Sequence, residues 1–124
     1  MVLLICLAIG AGVAGTIWAY CCCTNSCLCH GGHVQVLDTC LFGFHVDHDR
    51  DCGTDHEVSV YLRPDEGQDF TAFMMTPPGP PYLPCMPYTT TLQLNANTTY
   101  WYYFKCPACG QNTQVHYFNT GDCD

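Results

Sequence analysis

Twelve cysteines in 124 residues constrain this chain more than any other feature. At that density in a short chain, cysteines read as a disulfide framework formed in an oxidising compartment. Disulfides supplement a core that a domain of this size can build only modestly. The expected bridging residues are Cys21, Cys22, Cys23, Cys27, Cys29, Cys40, Cys52, Cys85, Cys106, Cys109 and Cys123. They number eleven, so one is left over, free or available for a disulfide-linked dimer. Cys6 is set apart because it lies in the apolar start of the chain.

Val2 to Ala19 carries no charged residue and is rich in Leu, Ile, Val, Ala and Gly. It has the character of a secretory signal, with cleavage expected after Gly15 or Ala19. The same run is nearly long enough to act as a membrane anchor if it is retained. The expected organisation is a signal peptide at 1–19, an irregular cysteine-rich arm at 20–33 and a β domain at 34–124. Asn97-Thr98-Thr99 fits the N-glycosylation acceptor pattern. These features together predict a secreted, extracellular protein.

Charge excludes some partners. Three basic residues, Arg50, Arg63 and Lys105, stand against eleven acids, for a net charge of −8. No basic patch exists for a phosphate backbone, so nucleic acid is excluded as a partner. Membrane association is expected only through an uncleaved N-terminal segment.

After the arm the pattern is that of strands. Val34–Leu37 and Leu41–Val46 are apolar and β-branched. Val58, Val60 and Leu62 alternate with Ser59, Tyr61 and Arg63, a period of two. Phe70–Met75, Thr89–Leu94, Thr99–Cys106 and Gln114–Phe118 complete the set. His45 to His56 reads as an acidic loop. Pro77 to Pro87 holds six prolines and reads as an extended loop outside any ladder. The expected fold is all-β: a small antiparallel sandwich of six or seven strands, stapled by disulfides.

Thr89 to Cys106 reads TTTLQLNANTTYWYYFKC. Leu94, Asn97, Thr98 and Tyr100 fall at the spacing of the L-x-P-[NG]-T-x-Y motif, and this segment resembles the region between strands E and F of fibronectin type III domains. Ala96 stands where that family has proline. The resemblance implies an immunoglobulin-like sandwich and a tyrosine corner at Tyr100, its hydroxyl bonded back to the preceding loop. It also implies that Tyr102, Phe104 and Cys106 point inward while Trp101, Tyr103 and Lys105 point outward. Cys40 and Cys106 would then lie on strands B and F and be placed to bridge the sheets. The resemblance implies ligand binding and adhesion through loops, without catalysis. A second, shorter resemblance is that of Tyr20-Cys21-Cys22 to the Y-x-C motif of small secreted effectors of plant-pathogenic fungi.

Two constellations carry possible chemistry. Cys106-Pro107-Ala108-Cys109 precedes Gly110. C-x-x-C-G is half of a zinc knuckle, with Cys27-Leu28-Cys29-His30 or His45-Val46-Asp47-His48 as the other half. The candidate ligands are Cys106, Cys109, His45 and His48. C-P-x-C also resembles the redox motif of glutaredoxins, but only fifteen residues follow it, and they read as strands. His45, Asp47, His48, Asp49, Asp51 and His56 crowd one stretch and are expected to form a solvated acidic loop. No nucleophile elbow, P-loop or dinucleotide fingerprint is present. The expectation is therefore an extracellular binding module without catalysis or cofactor, directed at an extracellular or cell-surface protein. Trp101, Tyr103 and Tyr82 are its candidate contact residues, and a metal-binding protein is the alternative.

Overall fold

The computed structural model describes residues 27–65 and 69–123. Eight strands follow in order: β1 Leu28–Asp38, β2 Leu41–Asp49, β3 Ser59–Pro64, β4 Thr71–Met74, β5 Cys85–Gln93, β6 Thr99–Cys106, β7 Gln111–Asn112 and β8 His116–Asn119. A 3₁₀ turn, Arg50–Cys52, follows β2. One sheet has the order β1-β2-β5; the other runs β4-β3-β6, with β7 and β8 both pairing with β6. Every pairing is antiparallel.

The core lies between the sheets and follows the period of two. Phe42, Phe44, Val46 and His48 point inward from β2, and Val60 and Leu62 from β3. Met86 and Tyr88 do so from β5, and Tyr100, Tyr102, Phe104 and Cys106 from β6. The large apolar side chains among them each contribute about 1.5–3 kcal/mol by leaving water. The inward set on β6 is the one the fibronectin-like resemblance implied. Asn95 N–H donates to the Tyr100 hydroxyl at 3.1 Å, so Tyr100 does tie β6 to the turn before it.

Facing rings set the alignment between β2 and β6. Phe44 meets Tyr102 edge-on at 5.8 Å, and Phe118, which packs on Phe42 at 5.3 Å, stacks on Tyr100 at 6.0 Å. Four residues further along both strands, His48 faces Cys106. Cys40, at the opposite end of β2, is therefore far from Cys106. It pairs with Cys123 instead, and the expected Cys40–Cys106 bridge does not form. Cys27 pairs with Cys52, and Cys29 and Cys85 are also disulfide-bonded. Cys106 and Cys109 are free thiols, contrary to the reading of both as bridged. Cys21, Cys22, Cys23 and the 1–19 segment lie outside the described residues.

Three boundaries differ from expectation. β1 begins at Leu28, within the supposed irregular arm, and Leu28 and Cys29 are buried. Gly32, with φ of +73°, bends the strand where a Cβ would collide with the Phe104 ring. His45–Asp49 belongs to β2, not to a loop. Its outward residues are polar, and of its two inward residues, Val46 and His48, the second is a histidine in a core position, so the alternation is not apolar to its end. β5 starts at Cys85 and includes Pro87, opposite Asp47. Thr89, two residues on, directs its N–H to Thr76 on the outer side. By the alternation of an antiparallel ladder, the nitrogen of Pro87 also faces away from β2. A missing N–H is tolerated there because β5 is an edge strand.

Candidate metal centre

Three segments meet where β2 and β6 end. The last inward residue of β2 is His48 and the last of β6 is Cys106, and both are fully buried. The tight turn after β6 supplies Cys109. Within it Cys109 N–H donates to the Cys106 carbonyl at 3.1 Å, and Gly110 N–H to that of Pro107 at 3.0 Å. Pro107 fixes the entry to the turn, and Gly110 adopts φ of +67°, which a glycine accepts readily. The turn folds Cys109 back so that its N–H also lies 3.3 Å from Cys106 Sγ.

His56 comes from the loop between the 3₁₀ turn and β3. That loop is held at its base by the Cys27–Cys52 bridge. Nearer its end, the buried Tyr88 hydroxyl donates to the His56 carbonyl at 2.7 Å. Gly53 leaves room for the ring, since a Cβ there would lie 2.7 Å from His56 Nε2.

The four potential donor atoms lie within 4.8 Å of one another. His48 Nε2 is 3.2 Å from His56 Nδ1. Cys109 Sγ is 3.3 Å from each of these nitrogens. Cys106 Sγ is 3.9 Å from His48 Nε2 and 3.8 Å from His56 Nδ1. A tetrahedral zinc with bonds of about 2.05 Å to nitrogen and 2.3 Å to sulfur would set N···N edges of about 3.3 Å and N···S edges of about 3.5–3.6 Å. The observed edges scatter around those values, so a tetrahedral ion fits with small side-chain adjustments.

Electrostatics favour the same donor set. Burial lowers the pKa of His48, and the neighbouring His56 lowers it further, with partial opposition from Asp49. The ring is thus held neutral, the form that ligates metals. Its Nδ1 is buried without a hydrogen-bond partner. Burial, then the hydrogen bond and charge of Cys106, push the Cys109 thiol up to about 12. Without a cation this thiol stays protonated; a dication among the four groups reverses that balance. Redox-active thiols are activated the opposite way, by a lowered pKa at a helix N-terminus. Here β7 and β8 follow the motif, so the environment of a glutaredoxin-type thiol is not built.

Of the four ligands expected from sequence, Cys106, Cys109 and His48 come together and His45 does not. His45 points out of the opposite face of β2, 2.9 Å from Asp47 Oδ1, and stacks on His33. Strand alternation sends His45 and His48 to opposite faces because they are three residues apart. The fourth group is His56, in the stretch read as a solvated loop. Its separation from His48 exceeds the usual short histidine spacing of zinc motifs. The only sequence signal for it is a histidine three residues before a strand that pairs with the C-x-x-C strand.

Trp101 and Tyr103 lie half-buried on the outer face of the second sheet, as expected. Arg63 sits 5.2 Å from the Phe70 ring and 5.4 Å from the Trp101 ring, and Tyr61 stacks on Tyr103. Tyr82 is also half-buried, packs against the core, and accepts a hydrogen bond from Arg50 through its carbonyl. Asn97 is exposed at a turn with φ of 50°. Among the described residues, no helix is long and apolar enough to cross a membrane. Comparison with known proteins finds no matching family model and no matching curated protein.

Proposed function

We propose that this chain is a secreted, disulfide-stapled binding domain whose loop end is braced by a zinc ion held by His48, His56, Cys106 and Cys109. The observation that carries the metal reading is the convergence of those four donor atoms within 4.8 Å. Four protein ligands leave no open coordination position, which suits a structural ion over a hydrolytic one. Mixed thiolate and imidazole donors in a tetrahedron favour zinc among the common divalent metals.

Secretion rests on the apolar Val2–Ala19 segment and on the disulfides, with Asn97 as the glycan acceptor. The finer fold assignment is fibronectin type III-like. It is supported by the first, second and fifth strands sharing one sheet while the third, sixth and last share the other, as in immunoglobulin-type sandwiches, and by the Tyr100 hydrogen bond. A non-catalytic role at an extracellular or cell-surface protein follows from that likeness as an analogy of fold. Trp101 and Tyr103 are the proposed contact residues.

The test uses protein secreted from eukaryotic cells and equilibrated with zinc, with Cys106 and Cys109 first shown by alkylation to be reduced. Native mass spectrometry is expected to show one zinc per chain and an N-terminus at Thr16 or Tyr20. Reduced protein that takes up no stoichiometric zinc would overturn the metal reading. A full-length, membrane-retained chain would overturn the secretion reading.

A further inference from the structure

The four ligands are not equally accessible. His48 and Cys106 are fully buried, while His56 and Cys109 are partly open to solvent. The open side is a groove of about 380 Å³ lined by Asp55, His56, Glu57, Pro107 and Ala108. Cys106 and Cys109 are also the only free thiols among the described residues, whereas Cys27, Cys29, Cys40, Cys52, Cys85 and Cys123 are all disulfide-bonded. Their sulfurs lie within 4.8 Å of each other and only two residues separate them. Closing a disulfide across that gap needs little movement of the turn. Among the described residues, oxidation is the common fate of a thiol, and these two are placed to share it.

We infer that the centre reacts with an accessible disulfide, such as an oxidised low-molecular-weight thiol, and releases its metal as a result. The inference rests on the zinc reading above. The zinc-bound Cys109 thiolate, on the partly open side of the centre, attacks one sulfur of the incoming disulfide RS–SR. A Cys109–S–S–R mixed disulfide forms and one RS⁻ leaves. The Cys106 thiolate then attacks Cys109 Sγ, forming the Cys106–Cys109 disulfide and expelling the second RS⁻. Two protein thiolates are oxidised and one external disulfide is reduced to two thiolates. Zinc, left with two imidazoles, departs as Zn²⁺ through the groove. No proton is transferred within the protein, because both cysteines are thiolates while zinc is bound.

Burial sets the order of attack. Cys106 is shielded by the core and cannot meet an external disulfide first; Cys109 can. The acidic groove between Asp55, Glu57 and the turn lies on the path of the departing cation.

The experiment starts from protein shown to contain one zinc and treats it with oxidised glutathione in the absence of oxygen. Zinc is read with a chromophoric chelator, glutathione by its thiol, and the cysteines by peptide mapping after acid quenching. The expected result is one zinc released and two reduced glutathiones formed per chain, with a Cys106–Cys109 disulfide as product. An early quench should trap glutathione on Cys109 and not on Cys106. Cys106→Ser, which removes the second attacking thiol, should accumulate the Cys109 adduct. Zinc retained under conditions that oxidise a model dithiol, or zinc released with both thiols still reduced, would overturn the inference while leaving the zinc reading intact. A reduced protein that never loads zinc is instead the failure of that reading.

Discussion

His48 Nε2 and His56 Nδ1 stand 3.2 Å apart, although one ring is fully buried at the end of a strand and the other lies on a partly open loop. A single N–H···N hydrogen bond would account for that pair alone. It would not place Cys109 Sγ 3.3 Å from both nitrogens, or Cys106 Sγ within 3.9 Å of both. The proposed cation at the centre would account for all of these distances together.

Strand alternation separates the histidines of β2 in function. His48→Ala should abolish stoichiometric zinc or cobalt binding, because the buried side of the tetrahedron is lost. His45→Ala should leave the metal content and the cobalt absorption bands unchanged. Metal titration of the two variants side by side checks this; loss of binding in His45→Ala would misplace the centre.

Tyr88 positions the candidate ligand His56 through its backbone. Tyr88→Phe removes the hydroxyl that donates to the His56 carbonyl. Such outer-shell losses weaken metal binding by about 10- to 100-fold. The variant should keep its far-UV spectrum, and competition with a chelator of known affinity measures the loss.

Metal removal should loosen the loop end. An ion that binds only the folded chain, at a free concentration about a thousand times its Kd, adds about 4 kcal/mol of stability. Thermal melts in zinc and in chelator should therefore differ by many degrees under reducing conditions mild enough to spare the structural disulfides. Identical melts would argue against a ligand set that belongs to the folded state.

Alkaline stability should follow the buried phenols. Burial raises the pKa of Tyr102, and burial together with the charges of Cys106 and Cys109 raises that of Tyr88. Above the ordinary tyrosine value of about 10 the unfolded chain releases these protons more readily than the folded one. Their contribution to stability is thus complete below about pH 10 and is lost as pH rises through the raised folded-state values. Absorbance titration should find two tyrosines that ionise late, together with unfolding.

The β1 bend depends on a glycine. Gly32→Ala sets a side chain at φ of +73° and against the Phe104 ring. The combined strain and overpacking should destabilise the domain by at least about 2 kcal/mol, measured by denaturant unfolding.

Much of this architecture was legible in local pattern. The alternation of Val58, Val60 and Leu62 and of Tyr100, Tyr102, Phe104 and Cys106 marks two central strands, because burial on one face imposes a period of two whatever the neighbours are. The C-x-x-C-G turn was equally legible, since Pro107 restricts the backbone at its start and Gly110 accepts the positive φ at its end. His48 as a core residue was not, because a polar side chain is accepted inside only when specific partners meet it. Of those partners, the two sulfurs come from a segment 58 and 61 residues away, and His56, only 8 residues on, reaches His48 across a turn and a loop. The disulfide partner of Cys40 likewise depended on which ends of β2 and β6 face each other, a matter of how the two sheets align. Residue types and spacings thus determined the strands, the turn and the cysteine-rich character. Only the packing of one sheet on the other decided which cysteines bridge, which stay free, and which histidines they meet.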